Sequence, residues 1–237
     1  MITNLVISGG PLHDFAASSQ SLVTALAEVG VRSTIFVDPH AAFAELLARP
    51  SEWDLVTVNA LAWSMNSERY RDLREQWAFE LRDEQARALH DFVHSGGGLL
   101  ACHTAVICFD GHPLWVECVG ASWAWGRSSH PPLGRAAIAA TPAGQQHEIT
   151  AGVAEFMIDD EIYESLDQSP DLVPLLASRR EGVDHPVLWA RSVGRGRVVT
   201  DLLGHNAAAV SHAAHRQVVQ RSAQWLTHAR KEGRARV

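Results

Sequence analysis

Short apolar runs alternate with segments of helical spacing through the first half of the chain. Asn4–Ser8 is an apolar run closed by Gly9-Gly10-Pro11, which predicts a strand followed by a turn. Between Ser18 and Val29, Leu22, Val23, Leu26 and Val29 recur at helical intervals, and Gly30 supplies the stop. The alternation continues as a strand over Thr34–Val37, a short helix over Ala41–Ala48 and a strand over Leu55–Val58. A helix carrying Ala86, Leu89 and Val93, with Asp83 as its expected cap, ends at Gly96-Gly97-Gly98, and Leu99–Cys102 forms the fourth strand. Continuous apolar strands separated by amphipathic helices predict a parallel sheet covered on both faces.

The second half changes character. Gly134–Ala140, Phe156–Tyr163, Leu172–Ala177 and Val187–Arg191 read as strands divided by turns, with little helix between them. Gly194-Arg195-Gly196 makes a tight connection into a final strand, Arg197–Leu203, and a closing helix over Ala207–His228 turns Val218, Val219, Trp225 and Leu226 inward. The expected class is α/β, a mostly parallel sheet with antiparallel additions in the second half. No linker or repeat divides the chain, so one domain is expected over residues 1–237. Asn59–Arg82 is long for a connection. Tyr70, Leu73 and Trp77 have helical spacing within it, so an inserted helix is expected there as a rim, a lid or an interface in a homo-oligomer.

With 46% apolar and 20% charged residues, the 237-residue chain has a globular composition. The net charge of −7, with its arginines scattered, argues against a nucleic-acid partner. No run approaches the roughly 18 apolar residues of a membrane span, and the opening residues lack a basic leader. Cys102, Cys108 and Cys118 form an odd set outside any CxxC pattern, which points to a reducing, cytoplasmic setting.

Ligands of open α/β sheets bind beyond the carboxyl ends of the strands. Those ends carry His13 and Asp14, Asn59, His103 and Thr104, and His205 and Asn206. Within Gly96–Ala105, a helix stop, a buried strand and a turn of small residues outline a nucleophile elbow that would present His103. Cys102 would then end the strand pointing into the core. Its alternative role as a thiolate nucleophile would require exposure and a positioned histidine.

Several segments, in order, resemble the ThuA-like (trehalose-utilisation) proteins, which share the class I glutamine amidotransferase-like fold. They are Ser8-Gly9-Gly10 with His13-Asp14, Gly97 to Ala105, Gly120-Ala121, His130-Pro131, Asp160-Glu161-Ile162-Tyr163, His185 to Trp189, Gly194 to Val199, and Leu203-Gly204-His205-Asn206. The resemblance implies a flavodoxin-like three-layer sandwich and a small carbohydrate as partner. It does not imply glutamine hydrolysis. That chemistry needs a cysteine at the elbow and a carboxylate two residues beyond the histidine, whereas this chain has His103 at the elbow and Asn206-Ala207 after His205.

Two chemistries remain open. His13, His103, His130, His147, Glu161 and His205 are candidate ligands for a divalent metal such as zinc, converging from distant loops because no HExxH signature is present. Alternatively His103, His205 and Glu161 act as acid/base groups without metal. On a strand, Asp159, Glu161 and Tyr163 share one face and Asp160 and Ile162 the other, although three adjacent acids also suit a solvated edge. Trp123 and Trp125 are sugar-stacking candidates or rim packing, and His212 and His215 are expected on a solvated helix face. The expected function is a cytoplasmic enzyme that hydrolyses or isomerises a small sugar or oxidised sugar derivative through His103, His205 and Glu161. His13, Asp14, Asn59, Thr104, Trp123, Trp125, His130, Tyr163 and Asn206 are the expected substrate contacts. A non-catalytic sugar-binding or regulatory protein and a metal-dependent hydrolase are the alternatives.

Overall fold

In the computed structural model, which describes residues 1–234 with side chains as far as His228, the apolar runs of the first half become neighbouring strands. Residues 235–237 of the expected domain lie outside the described residues. The chain runs through β1 (Ile2–Gly9), α1 (Phe15–Ala27), β2 (Val31–Phe36), α2 (Pro39–Ala48), β3 (Leu55–Ala60), α3 (Arg71–Trp77), α4 (Asp83–His94) and β4 (Gly98–Cys102). It continues through α5 (Pro113–Val119), β5 (Ala121–Ser122), β6 (Gly134–Ala140), β7 (Phe156–Asp160), β8 (Asp167–Gln168), β9 (Pro174–Arg180), β10 (Val183–Val193), β11 (Gly196–Asp201), α6 (Ala207–Ser211) and α7 (Ala213–Arg234).

One nine-stranded sheet has the order β2-β1-β3-β4-β11-β10-β9-β6-β7. Its first five strands are parallel and the rest antiparallel, so the parallel part has the flavodoxin-like strand order and the second half extends it. Successive residues of β4 face opposite layers. Leu99 and Ala101 pack with Phe43, Leu89 and Trp115 from α2, α4 and α5, while Leu100 and Cys102 pack with Leu22, Val218 and Leu226 from α1 and α7. The result is the expected three-layer sandwich. No described helix is long and apolar enough to cross a membrane.

Several local expectations are corrected. Asp83 is the first residue of α4 rather than its cap, and the Gln85 side chain instead accepts the Arg82 N–H at 3.0 Å. The strand expected over Phe156–Tyr163 stops at Asp160. The closing helix is broken at His212, whose ψ of 128° is extended, leaving α6 and α7 as separate segments. His215 is not on a solvated face but buried, with Nδ1 donating to the Ala209 carbonyl at 2.8 Å and Nε2 to Asp201 Oδ2 at 2.9 Å. His212 is half-buried and stacks on Phe156 at 5.3 Å.

Candidate functional site

Three strand exits deliver imidazoles to one place. After β1 the chain turns at Gly9 and Gly10, and a Cβ at Gly10 (φ +126°) would lie 2.4 Å from the Leu61 carbonyl oxygen, so only glycine fits. His13 follows that turn. After β4, His103 takes φ +44°, a left-handed conformation that is costly for a residue with a Cβ, and this is the expected elbow. After β11, Gly204 (φ +109°) turns the chain to present His205. The antiparallel half contributes Glu161, immediately beyond β7.

The four side chains His13, His103, His205 and Glu161 place one donor atom each within 4.8 Å of all the others. From Glu161 Oε2, His205 Nδ1 lies at 3.2 Å, His103 Nε2 at 3.7 Å and His13 Nε2 at 3.9 Å. The imidazoles meet edge to face, with ring centroids 4.6 to 5.4 Å apart. His103 is 1% exposed, and its Nδ1 donates to the Leu202 carbonyl at 2.8 Å, which turns its Nε2 towards the carboxylate. The His205 approach is off the hydrogen-bond direction, so His205 Nδ1 and His13 Nε2 are buried nitrogens without a hydrogen-bond partner.

Electrostatics prepares these donors. Burial, reinforced by His103 and His205, lowers the His13 pKa to about 4, so its imidazole is neutral at pH 7. Burial opposes ionisation of Glu161, but His103, His205 and His130 around it outweigh that and hold its carboxyl well below the usual range. The Glu161 carboxylate in turn raises the His205 pKa against desolvation. Ligand atoms of a tetrahedral zinc lie ~3.4 Å apart when metal–ligand bonds are about 2.0–2.1 Å. Modest side-chain rotations would bring this three-nitrogen, one-oxygen set to that spacing, so the residues fit a small divalent ion.

An aromatic rim leads outward from the cluster. The Tyr163 hydroxyl lies 3.4 Å from His103 Nε2, Trp123 packs edge-on against Tyr163 at 5.4 Å, and Trp125 follows at 6.3 Å. Trp125 is 53% exposed and contacts Trp63 and Tyr70 of the segment between β3 and α4, so that insertion forms part of the rim. His130 borders the cluster, with Nδ1 3.6 Å from Glu161 Oε1 and 2.9 Å from the Pro131 carbonyl.

Other expected site residues are engaged by the fold instead. His147 does not join the imidazoles. It packs on Trp225 of α7 at 5.3 Å, and its Nδ1 accepts the Ile149 N–H at 3.3 Å. Asp14 caps α1 through Ala17 N–H and Asn206 caps α6 through Ala209 N–H. Asn59 donates to the Ser18 and Ser19 hydroxyls beneath α1, and the Thr104 hydroxyl donates to the Ala60 carbonyl at 2.6 Å. Sequence reasoning missed Trp63, which lies on no periodic segment, and gave no role to the deeply buried Asp160, which it placed either on the face of Ile162 or at a solvated edge.

Cys102 faces the core as expected, and burial, with Asp201 nearby, pushes its thiol well above its usual value. Burial raises Cys108 and Cys118 to about 12. A protonated thiol inside the protein is a poor nucleophile. Cys102→Ala is therefore expected to retain any catalytic activity found for the unaltered protein within about threefold, measured as turnover. A total loss with an unchanged melting temperature would reinstate the thiol.

A solved ThuA-like protein of Parabacteroides merdae is similar with a TM-score of 0.76 and 17% identity, covering 95% of this chain and 90% of that one. A cytoplasmic protein of Salmonella typhimurium follows at 0.64 and 12% identity, covering 95% of this chain and 99% of its own. A Bacillus circulans β-galactosidase matches at 0.59 and 12% identity over 98% of this chain but 31% of its own. No match is found among curated proteins. The structural likenesses concern the fold alone. The family model described as ThuA, trehalose utilisation, matches residues 20–226, and the chain belongs to that family.

Proposed function

We propose that the protein is a divalent-metal-dependent enzyme that hydrolyses or isomerises a small sugar or an oxidised sugar derivative. The observation that carries this reading is the convergence of three imidazoles, two of them with unpartnered buried nitrogens, on one ionised carboxylate. Membership of a trehalose-utilisation family supports the substrate class, and the exposed face of Trp125 beside Trp123 suits a pyranose ring. A cytoplasmic setting is supported by three unpaired cysteines and by the Salmonella relatives described as cytoplasmic proteins.

A divalent ion bound here would supply a Lewis acid for a carbonyl or hydroxyl oxygen and would acidify water. The chain's own contribution is to hold His13 neutral and Glu161 ionised, and to keep His103 in the tautomer whose Nε2 faces inward. Burial pushes the Tyr163 phenol well above its usual value, so it remains a proton donor that can hold a substrate oxygen. His130 keeps its Nδ1 proton on Pro131, which leaves Nε2 as an acceptor at the solvent edge for a substrate hydroxyl proton.

Metal content and turnover test the proposal together. Elemental analysis is expected to find close to one zinc, manganese or iron per chain. Chelation should abolish product formation across a panel of sugars and keto-sugars, and re-addition should restore it. Metal-free protein with chelator-resistant turnover would replace this reading by acid/base catalysis on His205 and Glu161. Sugar binding without product in the metal-loaded protein would replace it by a binding function.

A further inference from the structure

Asp160 lies beside the cluster without belonging to it. It is 1% exposed, and a carboxylate removed from water is tolerated only when its oxygens are satisfied. Three backbone donors do so. Oδ1 accepts the N–H of Glu161 at 2.9 Å and that of His205 at 3.2 Å, while Oδ2 accepts the N–H of Gly204 at 2.7 Å. Two of the four donor residues therefore hang by their main chain from one buried side chain. A third is tied to the same loop, since His103 Nδ1 donates to Leu202 O and lies 4.0 Å from Asp160 Oδ1. The loop is fixed from behind by Leu202 N–H on the Val187 carbonyl and by Leu203 N–H on Asp201 Oδ1.

We propose that Asp160 is a positioning residue that sets the spacing of Glu161, His205 and His103, so that the centre is preorganised for a metal ion. The inference rests on the metal reading above. Asp160 need touch neither ion nor substrate, because it acts through backbone N–H groups and through the Leu202–His205 loop. Both carboxylate oxygens are required. An amide at this position has one acceptor oxygen, so its NH2 group faces an N–H donor whichever way it is turned. Either Gly204 or the Glu161 and His205 pair then loses its acceptor.

The test titrates apo protein with Zn²⁺ against a chromophoric chelator and records the visible bands of the Co²⁺ form. Asp160→Asn is expected to weaken Zn²⁺ binding by about 10–100-fold, the range typical of outer-shell changes, and to alter the Co²⁺ bands. Asp160→Glu, which keeps two acceptor oxygens, should recover part of the affinity. Asp159→Asn, at an exposed neighbour facing Arg135, should match the unaltered protein. A second measurement needs no variant: Zn²⁺ should slow hydrogen exchange at the Glu161, Gly204 and His205 amides of the unaltered chain. Zn²⁺ binding and Co²⁺ bands in Asp160→Asn equal to those of the unaltered chain would overturn the role of Asp160. Unchanged exchange at those three amides on Zn²⁺ binding would do the same. Failure of the unaltered chain to bind Zn²⁺ or Co²⁺ would instead overturn the metal reading.

Discussion

Replacing Glu161 by Gln is expected to lower kcat/KM by about 10³-fold or more, a loss of ~4 kcal/mol of transition-state stabilisation. Glu161 is the only anion of the four convergent donors, and its Oε2 lies within 3.9 Å of a nitrogen of each of the three imidazoles. An amide preserves its volume but brings no charge to balance a divalent ion. The physical readout that separates binding from folding is the melting temperature with and without metal. A ligand at about 1,000 times its Kd stabilises the folded state by ~4 kcal/mol. For a chain of this size each kcal/mol moves Tm by about 2–4 °C. Unaltered protein should therefore gain roughly 8–16 °C on loading, and Glu161→Gln little of it, while the two melt alike in chelator. Metal binding should also weaken as pH falls, because the raised His205 takes up a proton that competes with the ion. An equal metal-induced rise in the variant would remove Glu161 from the centre.

The second large effect is on stability and lies away from the cluster. His215 is 1% exposed, and although burial alone would lower its pKa, the Asp201 carboxylate and the Ala209 carbonyl raise it to about 9. The folded value lies above the unfolded one of 6.5, so the stabilisation is complete below about pH 6.5 and is lost as pH rises through about 9. A difference of this size corresponds to about 3 kcal/mol. His215→Gln should melt about 10 °C below the unaltered protein at pH 6. The gap should narrow by most of that amount at pH 9.5 in paired thermal scans. A gap independent of pH would show that the side chain acts by packing rather than by its charge.

What the sequence makes legible is what local pattern encodes. Apolar runs bounded by glycine, after β1 and β11 and before β4, mark these three strands, and the residues just past them include the three imidazoles of the cluster. The small residues Thr104 and Ala105 mark the turn at which His103 takes its left-handed conformation. Glu161 and Tyr163 both reach His103, the side that alternation suggested, although β7 stops at Asp160 and neither residue lies on the strand. The remaining residues show where local pattern is a weaker guide. Asp14 and Asn206 sit at strand exits but are first residues before helices, where capping is the nearest use for their oxygens. His147 shares its residue type with the ligands and nothing else. The buried pair of Asp201 and His215, and the three N–H groups gathered by Asp160, join segments remote in sequence and have no periodic signature.

The cluster also joins the two halves of the sheet, since its imidazoles come from the parallel strands and its carboxylate from beyond β7 in the antiparallel extension. During synthesis, His13 and His103 emerge well before Glu161 and His205. A growing chain thus exposes half of a chelating set with no anion to complete it. On the metal reading proposed above, acquisition of the cation would be a late event, following closure of the extension, and the ion would act as a clasp between the earliest and latest parts of the chain to be made.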